Sequence, residues 1–194
     1  MQVRSGRELA DLHFHAAAVV GVAAGPVVGE EQQFVAALRR VSPAVRSLRD
    51  ATRELLDAVR DDVDPVAFRR AVHVVAENRR PEALRHALLA RDFASAGALM
   101  NDSHASLRDL YEVSSPHLDD ACDLARAHPA CHGARMTGAG FGGCAVALVE
   151  RAGCDAFIAA VQPRYESRTY KRSAFFAVAA DDGARLEPPR RQER

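Results

Sequence analysis

Four glycines fall within six residues near the C-terminal end of the chain, and they are the clearest indication of chemistry in the sequence. Glycine allows the backbone to adopt φ > 0 and allows N–H groups to approach a ligand closely. Converging N–H groups form a cradle for anions such as phosphate. We therefore predict a phosphate-facing loop, with a tight connection between two strands as the alternative. The loop residues are Thr137, Gly138, Ala139, Gly140, Phe141, Gly142 and Gly143.

Backbone dipoles would have to supply most of the attraction of this loop for phosphate. The sequence has no G-x-x-x-x-G-K-[ST] pattern and its only lysine is Lys171, so the loop is not a P-loop. The glycines are followed by a strand-like run, Cys144 to Val149, whereas a dinucleotide-binding turn leads into a helix.

Two side chains on the predicted helix before the loop could approach it. His104 falls on the apolar stripe of that helix, four residues after Met100. An unpaired polar group in a core is costly, which favours a hydrogen-bonded core histidine over a group directed into a site. Arg108, one turn later, is expected to pair with Asp109 or Glu112 or to reach the glycine loop.

Metal binding is not favoured by any cluster of acidic residues or histidines. His13 and His15 would share one face of a strand, but no further ligand is evident near them. Asp61, Asp62 and Asp64 resemble a calcium loop only superficially, because the glycine and the closing glutamate of such a loop are missing. We predict no metal ligand in the chain.

The remaining polar candidates are expected to be structural. Glu77 and Asn78 end a predicted helix and are expected to be solvated. Cys144 is expected to be a small, buried strand residue, since no neighbouring base could activate its thiol. The four cysteines lack C-x-x-C spacing, which favours free thiols, the usual state in a reducing cytoplasm, over zinc ligands or disulfides.

Composition excludes several classes of partner. Positive and negative residues balance at 26 each, without the basic surplus that nucleic-acid binding requires. No apolar run is long enough to span a bilayer, and the first residues do not form the apolar core of a signal peptide. We therefore expect a cytoplasmic protein that binds neither nucleic acid nor membrane.

Residue spacing predicts a helical layer followed by a strand–loop–strand–helix–strand unit, which is an α+β fold with an antiparallel sheet. Two helix starts are marked by a polar N-cap before proline, at Asp64-Pro65 and Ser115-Pro116. Helices are expected from Glu30, from Thr52 to Arg60, from Pro65, from Pro81 to Ala90, after Asp92, from Pro116 and from Asp155 to Tyr165; strands are expected at Gly133 to Met136, Cys144 to Val149 and Ser173 to Ala180.

The chain is expected to comprise three parts. Residues 1–29 are rich in small residues and show no strong period, although a short strand around Val19 to Val22 would fit them. Residues 30–187 are expected to form the folded domain, and residues 188–194 a polar tail.

The glycine loop and its surroundings resemble one family. Residues 135–144, Arg-Met-Thr-Gly-Ala-Gly-Phe-Gly-Gly-Cys, closely resemble the third motif of galactokinases, in the GHMP kinase superfamily. Residues 99–114 resemble the helix that precedes this loop in bacterial galactokinases, and residues 47–52, 68–78 and 181–185 also fit. The resemblance covers residues 34–187, in the order of the family.

The resemblance implies a GHMP kinase C-terminal domain, a helical layer packed on a small, ferredoxin-like antiparallel sheet. It implies that Thr137 to Gly143 lie at a cleft between two domains, where they help to stabilise the nucleotide-phosphate loop and the active site and count as cofactor-binding residues. It also implies the family reaction, in which the γ-phosphoryl group of ATP is transferred, with Mg²⁺, to the C1 hydroxyl of galactose. An enzyme with this reaction is a phosphotransferase with an alcohol group as acceptor.

The sequence departs from the family in its N-terminal half. The first galactokinase motif, with its glutamate-histidine-threonine-aspartate sugar contacts, and the second, a glycine- and serine-rich phosphate loop, do not occur in it. The family's catalytic aspartate and its partner arginine belong to the same region, so we assign no catalytic residue and no Mg²⁺ ligand here.

These observations lead to one hypothesis and two alternatives. The hypothesis is a truncated galactokinase without the N-terminal kinase domain, which binds ATP and galactose only when completed and lacks turnover alone. The alternatives are a kinase for another GHMP substrate, and a non-catalytic interaction or ligand-sensing module that self-associates through an exposed domain interface.

Overall fold

The computed structural model describes residues 14–19 and 30–179, in which four strands and seven α-helices form. The strands are β1 (Phe14–Val19), β2 (Cys131–Thr137), β3 (Cys144–Glu150) and β4 (Phe175–Val178). The helices are α1 (Glu30–Val41), α2 (Arg53–Asp57), α3 (Pro65–Glu77), α4 (Arg80–Leu89), α5 (Phe93–Asp109), α6 (Pro116–Arg126) and α7 (Cys154–Thr169). No helix in this part of the chain is long and apolar enough to cross a membrane.

The strands form one antiparallel sheet in the order β2-β3-β1-β4. A run of six helices separates β1 from β2, a loop joins β2 to β3, and α7 connects β3 to β4. This is the β-α-β-β-α-β arrangement of ferredoxin-like folds, with an enlarged first helical connection. The predicted α+β class, with a helical layer on a small antiparallel sheet, is confirmed.

Strand β1 lies inside the sheet, although it precedes the domain boundary predicted at residue 30. It pairs with β3 on one side and with β4 on the other. Of the strand predicted around Val19 to Val22, only Val19 belongs to the described residues, and it is the last residue of β1. The sequence signal is weak because alanine, which fills the centre of β1, has a low strand propensity. Residues 1–13, 20–29 and 180–194, including the predicted tail, lie outside the described part.

Side-chain caps fix the helix starts that the sequence predicts. The Asp64 carboxylate accepts hydrogen bonds from the backbone N–H groups of Val66 and Ala67, at 2.8 and 3.1 Å. Asp92 accepts from the N–H of Ser95 at 3.0 Å, at the start of α5. Because each side-chain oxygen satisfies an otherwise unpaired donor, the caps select these residues as the first turns of their helices.

Several predicted boundaries differ from the observed ones, and β2 spans Cys131–Thr137 rather than Gly133 to Met136. The helix predicted to run from Thr52 to Arg60 ends at Asp57 and is followed by a 3₁₀ turn at Arg60–Asp62. Helix α7 continues past Tyr165 to Thr169. Strand β4 begins at Phe175 rather than at Ser173, because the N–H of Ser173 donates to the Glu166 carboxylate at 2.9 Å instead of joining the sheet.

Two larger apolar clusters and a smaller one of Val113, Leu118 and Met136 form the core of the described residues. In the first, α6 and α7 pack on the sheet face that presents small residues of β2 and β3, and the small side chains let the helices approach closely. In the second, α1, α2 and α3 pack on one another around aromatic and branched side chains. The first cluster includes Ala121, Ala125, Ala134, Ala147, Val149, Phe157 and Val161; the second includes Phe34, Leu38, Leu56, Val59 and Phe68.

Helix α5 packs against β2 with backbone in direct contact. Gly97 faces the backbone of His132 and Gly133, and a Cβ atom built on Gly97 would overlap the His132 carbonyl group and lie 3.0 Å from the Gly133 nitrogen. A Cβ on Gly133 would in turn overlap the backbone of Gly97. The two glycines therefore let the helix lie directly on the strand.

Replacing Gly97 with alanine is expected to lower the free energy of unfolding by about 1–3 kcal/mol, as in other overpacked cores. The new methyl group would overlap the His132 carbonyl. Helix propensity alone predicts the opposite, since alanine is favoured over glycine in a helix by about 1 kcal/mol. The control is Ala98→Gly at an exposed position of the same helix. Urea denaturation measures both variants, and a Gly97→Ala variant as stable as the parent would refute this close packing.

Candidate functional site: the glycine loop

The predicted loop connects the paired ends of two strands. Thr137 is the last residue of β2 and lies opposite Cys144, the first residue of β3, so the loop begins and ends at one point of the sheet. Its glycines adopt left-handed backbone angles: φ is 86° at Gly138, 89° at Gly140, 150° at Gly142 and 114° at Gly143. Four positions thus require the conformational freedom of glycine.

The middle of the loop is fixed by the connection between α5 and α6. The backbone N–H of Phe141 donates to the carbonyl oxygen of Val113 at 2.6 Å. Gly140 is buried at the same point, and a Cβ built on it would lie 2.8 Å from the Val113 Cβ. A side chain at position 140 would therefore separate the loop from its anchor.

The first part of the loop is open to solvent. Thr137, Gly138 and Ala139 are exposed, and a Cβ built on Gly138 would meet no atom within 4 Å. Phe141 is 50% exposed and has φ of 59°, which is rare for an aromatic residue. The backbone of residues 137–139 can therefore be approached from outside.

His104 links the end of β2 to helix α6. Its side chain is completely buried, and Nδ1 accepts a hydrogen bond from the backbone N–H of Met136 at 3.2 Å. This bond leaves the ring proton on Nε2, which lies 3.2 Å from the Asp119 carboxylate. The same carboxylate oxygen accepts a hydrogen bond from the Ser114 hydroxyl at 2.6 Å. The prediction of a hydrogen-bonded core histidine is confirmed.

The surroundings of His104 favour its neutral form. Burial is the main cause that lowers its pKa, and the positive charge of Arg126 acts in the same direction. The Asp119 carboxylate opposes this effect and raises the pKa, but less strongly. A neutral ring is required for the bond with Met136, because a protonated Nδ1 could not accept it.

Arg108 pairs with its neighbour Asp109. Its Nε and Nη2 atoms donate to the two carboxylate oxygens of Asp109 at 2.7 and 2.9 Å, one of the three predicted arrangements. Glu112, the other predicted partner, accepts instead from Arg69 at 3.1 Å.

Asn101 of α5 contacts strand β2, and the sequence analysis did not predict this contact. Its Oδ1 atom accepts a hydrogen bond from the N–H of Ala134 at 3.0 Å, on the same side of β2 as the bond between Met136 and His104. Gly97, Asn101 and His104 recur at the spacing of one helix face, which is the sequence signal for this contact. Together they cover the free edge of β2.

Glu77 is not solvated, contrary to the prediction. Its side chain is 22% exposed, forms an ion pair with Arg80 and accepts a hydrogen bond from the Ser103 hydroxyl at 2.8 Å. The end of α3 faces α5 here, and burial of the carboxylate requires these partners. Asn78 is exposed, and its Nδ2 atom donates to the Leu48 carbonyl at 3.2 Å.

The other candidates have structural positions. Asp64 caps α3, and Asp62 pairs with Arg40 at 3.0 Å. Cys144 begins β3 and is half-buried rather than buried. Within residues 14–19 and 30–179, no group of three or more His, Cys, Asp or Glu residues could hold a metal ion. His13 lies outside these residues.

Burial also raises the pKa of two cysteine thiols, to about 12 for Cys122 and about 11 for Cys131. Both thiols are therefore protonated and unreactive at neutral pH.

Comparison with known proteins identifies relatives of this region. Residues 84–166 match the model of the family described as GHMP kinases C terminal. The galactokinase of Enterococcus faecalis is 44% identical over 122 residues, which are 63% of this chain and 32% of that protein. The galactokinase of Roseiflexus sp. is 46% identical over 114 residues, which are 59% and 29% of the two chains.

A solved structure extends the similarity to most of the chain. The crystal structure of Lactococcus lactis galactokinase complexed with galactose is similar with a TM-score of 0.72 at 32% identity, and the match covers 88% of this chain and 46% of that one. The chain thus spans about a third of the length of the curated relatives and about half of the solved one.

Replacing His104 with phenylalanine keeps a ring in the core but removes the acceptor for the Met136 N–H. We expect the free energy of unfolding to fall by about 1–3 kcal/mol, the cost of an unsatisfied buried donor. The control, His117→Phe, changes an exposed residue of α6 and is expected to cost less than about 0.5 kcal/mol. Equal losses in the two variants would contradict the assigned bond.

The pH dependence of the same variants gives a second readout. Burial lowers the folded-state pKa of both His104 and His73 below the ordinary value of 6.5. Below pH 6.5 these two histidines therefore bind protons in the unfolded chain but not in the folded one. Their titration leaves the free energy of unfolding unchanged above this pH and lowers it as the pH decreases. His104→Phe removes one of the two groups, and its stability should fall less steeply; parallel profiles would contradict this.

Proposed function

Because residues 84–166 match the GHMP kinases C terminal model and much of the chain is similar to galactokinases, we propose that the chain acts as the C-terminal part of a cytoplasmic galactokinase-type sugar kinase. The proposed reaction is transfer of the γ-phosphoryl group of ATP to the C1 hydroxyl of galactose. The proposed domain includes β1 and continues to residue 187, followed by a tail.

The observation that supports this role most directly is the construction of the glycine loop. Residues 137–139 expose their backbone, while Gly140 and Phe141 are fixed against Val113. A phosphate group fits such a loop because it binds to fixed backbone donors and requires no positive side chain. We propose that the backbone of Thr137, Gly138, Ala139, Gly140, Gly142 and Gly143 contacts the nucleotide phosphates, and that Phe141, whose N–H donates to Val113, holds the loop in place for this contact.

The rest of the proposed site must come from another domain. Mg²⁺ would neutralise the phosphates, yet the described residues contain no cluster of metal ligands. The sugar-binding and ATP-binding motifs of galactokinases do not occur in the 194 residues. Phe141, exposed beside the open part of the loop, is a suitable contact for a neighbouring domain.

A second candidate function is supported by the outer face of the sheet. Phe176 and Val178 are 51% and 45% exposed on β4. The register places Phe176 and Val146 opposite the same residue of β1, and Val178 and Leu148 opposite another, so these four residues share one face. Exposed apolar side chains on one face of a sheet favour association. The alternative is therefore a non-catalytic module that pairs with a second copy of itself.

A chimera tests the proposed kinase role. Residues 14–179 would replace the region of Lactococcus lactis galactokinase that is structurally similar to them. We expect galactose 1-phosphate to form from ATP, Mg²⁺ and galactose, and we expect none from the chain alone. In the chimera Gly140→Ala should reduce turnover at least about tenfold by displacing the loop, and Ala98→Gly should not.

Two results would contradict the proposal. A folded chimera without any sugar phosphorylation would refute the kinase role of this region. For a full-length protein that contains this chain, phosphorylation of another GHMP substrate, such as galactosamine, arabinose or mevalonate, in place of galactose would refute the substrate assignment.

Self-association has a separate test. If the outer sheet face pairs with a second copy, sedimentation velocity will show a dimer whose fraction rises with concentration, and Phe176→Lys will abolish it. Val41→Lys is the control, since Val41 is also 51% exposed but lies on α1. A parent chain that remains monomeric at high concentration would exclude this alternative.

A further inference from the structure

A half-buried cavity of about 260 Å³ lies between the junction of α3 and α4, helix α5 and strand β2. It is smaller than the pockets of about 300–1,000 Å³ that enclose drug-sized ligands, so it fits a smaller molecule. Half of its lining is apolar and half is polar or charged. The apolar residues are Pro81, Leu84, Leu99 and Met100, and the others are Glu77, Arg80, Ser103 and Arg135.

The carboxylate in this cavity is already engaged. One oxygen of Glu77 pairs with Arg80, and the other accepts a hydrogen bond from the Ser103 hydroxyl at 2.8 Å. The Glu77 and Arg80 side chains are only 22% and 21% exposed, so the ion pair is largely withdrawn from water. Glu77 therefore compensates Arg80.

Arg135 contributes a second positive charge with spare donors. Its Nε atom donates to the carbonyl oxygen of Met136 at 2.9 Å, which fixes the side chain. Its Nη1 atom is 3.8 Å from the nearer oxygen of Glu77, beyond hydrogen-bonding distance. The side chain is 33% exposed, so this end of the guanidinium can donate to a ligand in the cavity.

The neighbouring titratable group does not change this balance. His73 is buried, its Nδ1 atom is 2.8 Å from the Ser106 hydroxyl, and its ring stacks on Tyr111. Burial lowers its pKa, which keeps the ring neutral at neutral pH. The cavity thus combines two guanidinium groups and one carboxylate, an excess of one positive charge.

We propose that this cavity binds a small aliphatic carboxylate. Its oxygens would accept hydrogen bonds from the Nη atoms of Arg135, and its hydrocarbon chain would contact Leu84, Leu99 and Met100. A guanidinium and a carboxylate form a charge-assisted pair, which is stronger in a partly desolvated cavity than in water. The apolar wall selects an aliphatic acid over a fully hydrated anion such as phosphate.

The position of Arg135 connects this cavity to the glycine loop. Arg135 precedes Thr137 by two residues, and its guanidinium bonds the carbonyl group of Met136, whose N–H is bonded by His104. A ligand that moves Arg135 should therefore change the NMR signals of residues 137–143 as well as those of the cavity. The proposal does not depend on the kinase role, because every group in it belongs to the described chain.

The first experiment compares four probes on the 194-residue chain by NMR of its amide and methyl groups. The probes are hexanoate, hexanol, hexylammonium and inorganic phosphate. We expect hexanoate to shift the methyl signals of Leu84, Leu99 and Met100 and to bind at least about tenfold more tightly than each other probe. Equal affinity for hexanol, or tighter binding of hexylammonium or phosphate, measured at these three methyl-bearing residues would overturn the proposal.

Variants test the two charges separately. Arg135→Gln should weaken hexanoate binding at least about tenfold, whereas Arg168→Gln, an exposed control on α7, should leave it unchanged. Glu77→Gln removes the repelling carboxylate and should tighten binding severalfold. Arg135→Lys keeps the charge and serves if Arg135→Gln fails to fold. A folded Arg135→Gln variant that binds hexanoate as tightly as the parent would refute the site.

Discussion

The seating of helix α5 on the free edge of β2 is the contact on which the glycine loop depends. Gly97 allows the helix backbone to touch the strand, and Asn101 and His104 accept the outward N–H groups of Ala134 and Met136. The spacing suits both elements: Gly97 to His104 rises by about 10.5 Å along a helix, and Gly133 to Met136 by about 10 Å along a strand. A helix thus supplies acceptors that a further strand would otherwise supply, and an edge open to association is closed.

This contact determines where the loop begins, and a second one determines its course. His104 accepts a hydrogen bond from Met136, the residue before Thr137. Its other ring nitrogen lies beside Asp119 of α6, which also accepts a hydrogen bond from Ser114 in the α5–α6 connection. The neighbouring Val113 accepts the N–H of Phe141 in the loop itself. The end of β2 and the loop are therefore both fixed to the region of the α5–α6 connection, the first through His104 and Asp119 and the second through Val113. Strain at Phe141, where φ is 59°, is tolerated because this support over-determines the backbone.

Local chemistry explains which parts of the structure the sequence predicts. Asp64, Asp92 and Ser115 cap their helices as expected, because capping involves only neighbouring residues. The sequence signal for β1 is weak, because an alanine run has little strand propensity and the pairing of β1 with β3 and β4 depends on residues more than 120 positions away. Glu77 was expected in solvent for the same reason: its partner Ser103 lies on another helix. The glycine loop was located from its residue types, whereas its anchor at Val113 depends on tertiary packing.

The chain supplies the backbone loop of the proposed kinase site, whereas the described residues do not supply its carboxylates. The donors of a backbone loop are preorganised when their support is complete, and here every observed attachment of the loop comes from within the chain. Carboxylates that bind Mg²⁺ or orient a sugar hydroxyl must instead converge in space, and the described residues contain no such cluster. In the proposed kinase, a loop held by the Phe141–Val113 and Met136–His104 hydrogen bonds would favour phosphoryl transfer, because a rigid loop avoids the entropic cost of ordering its backbone when the nucleotide binds.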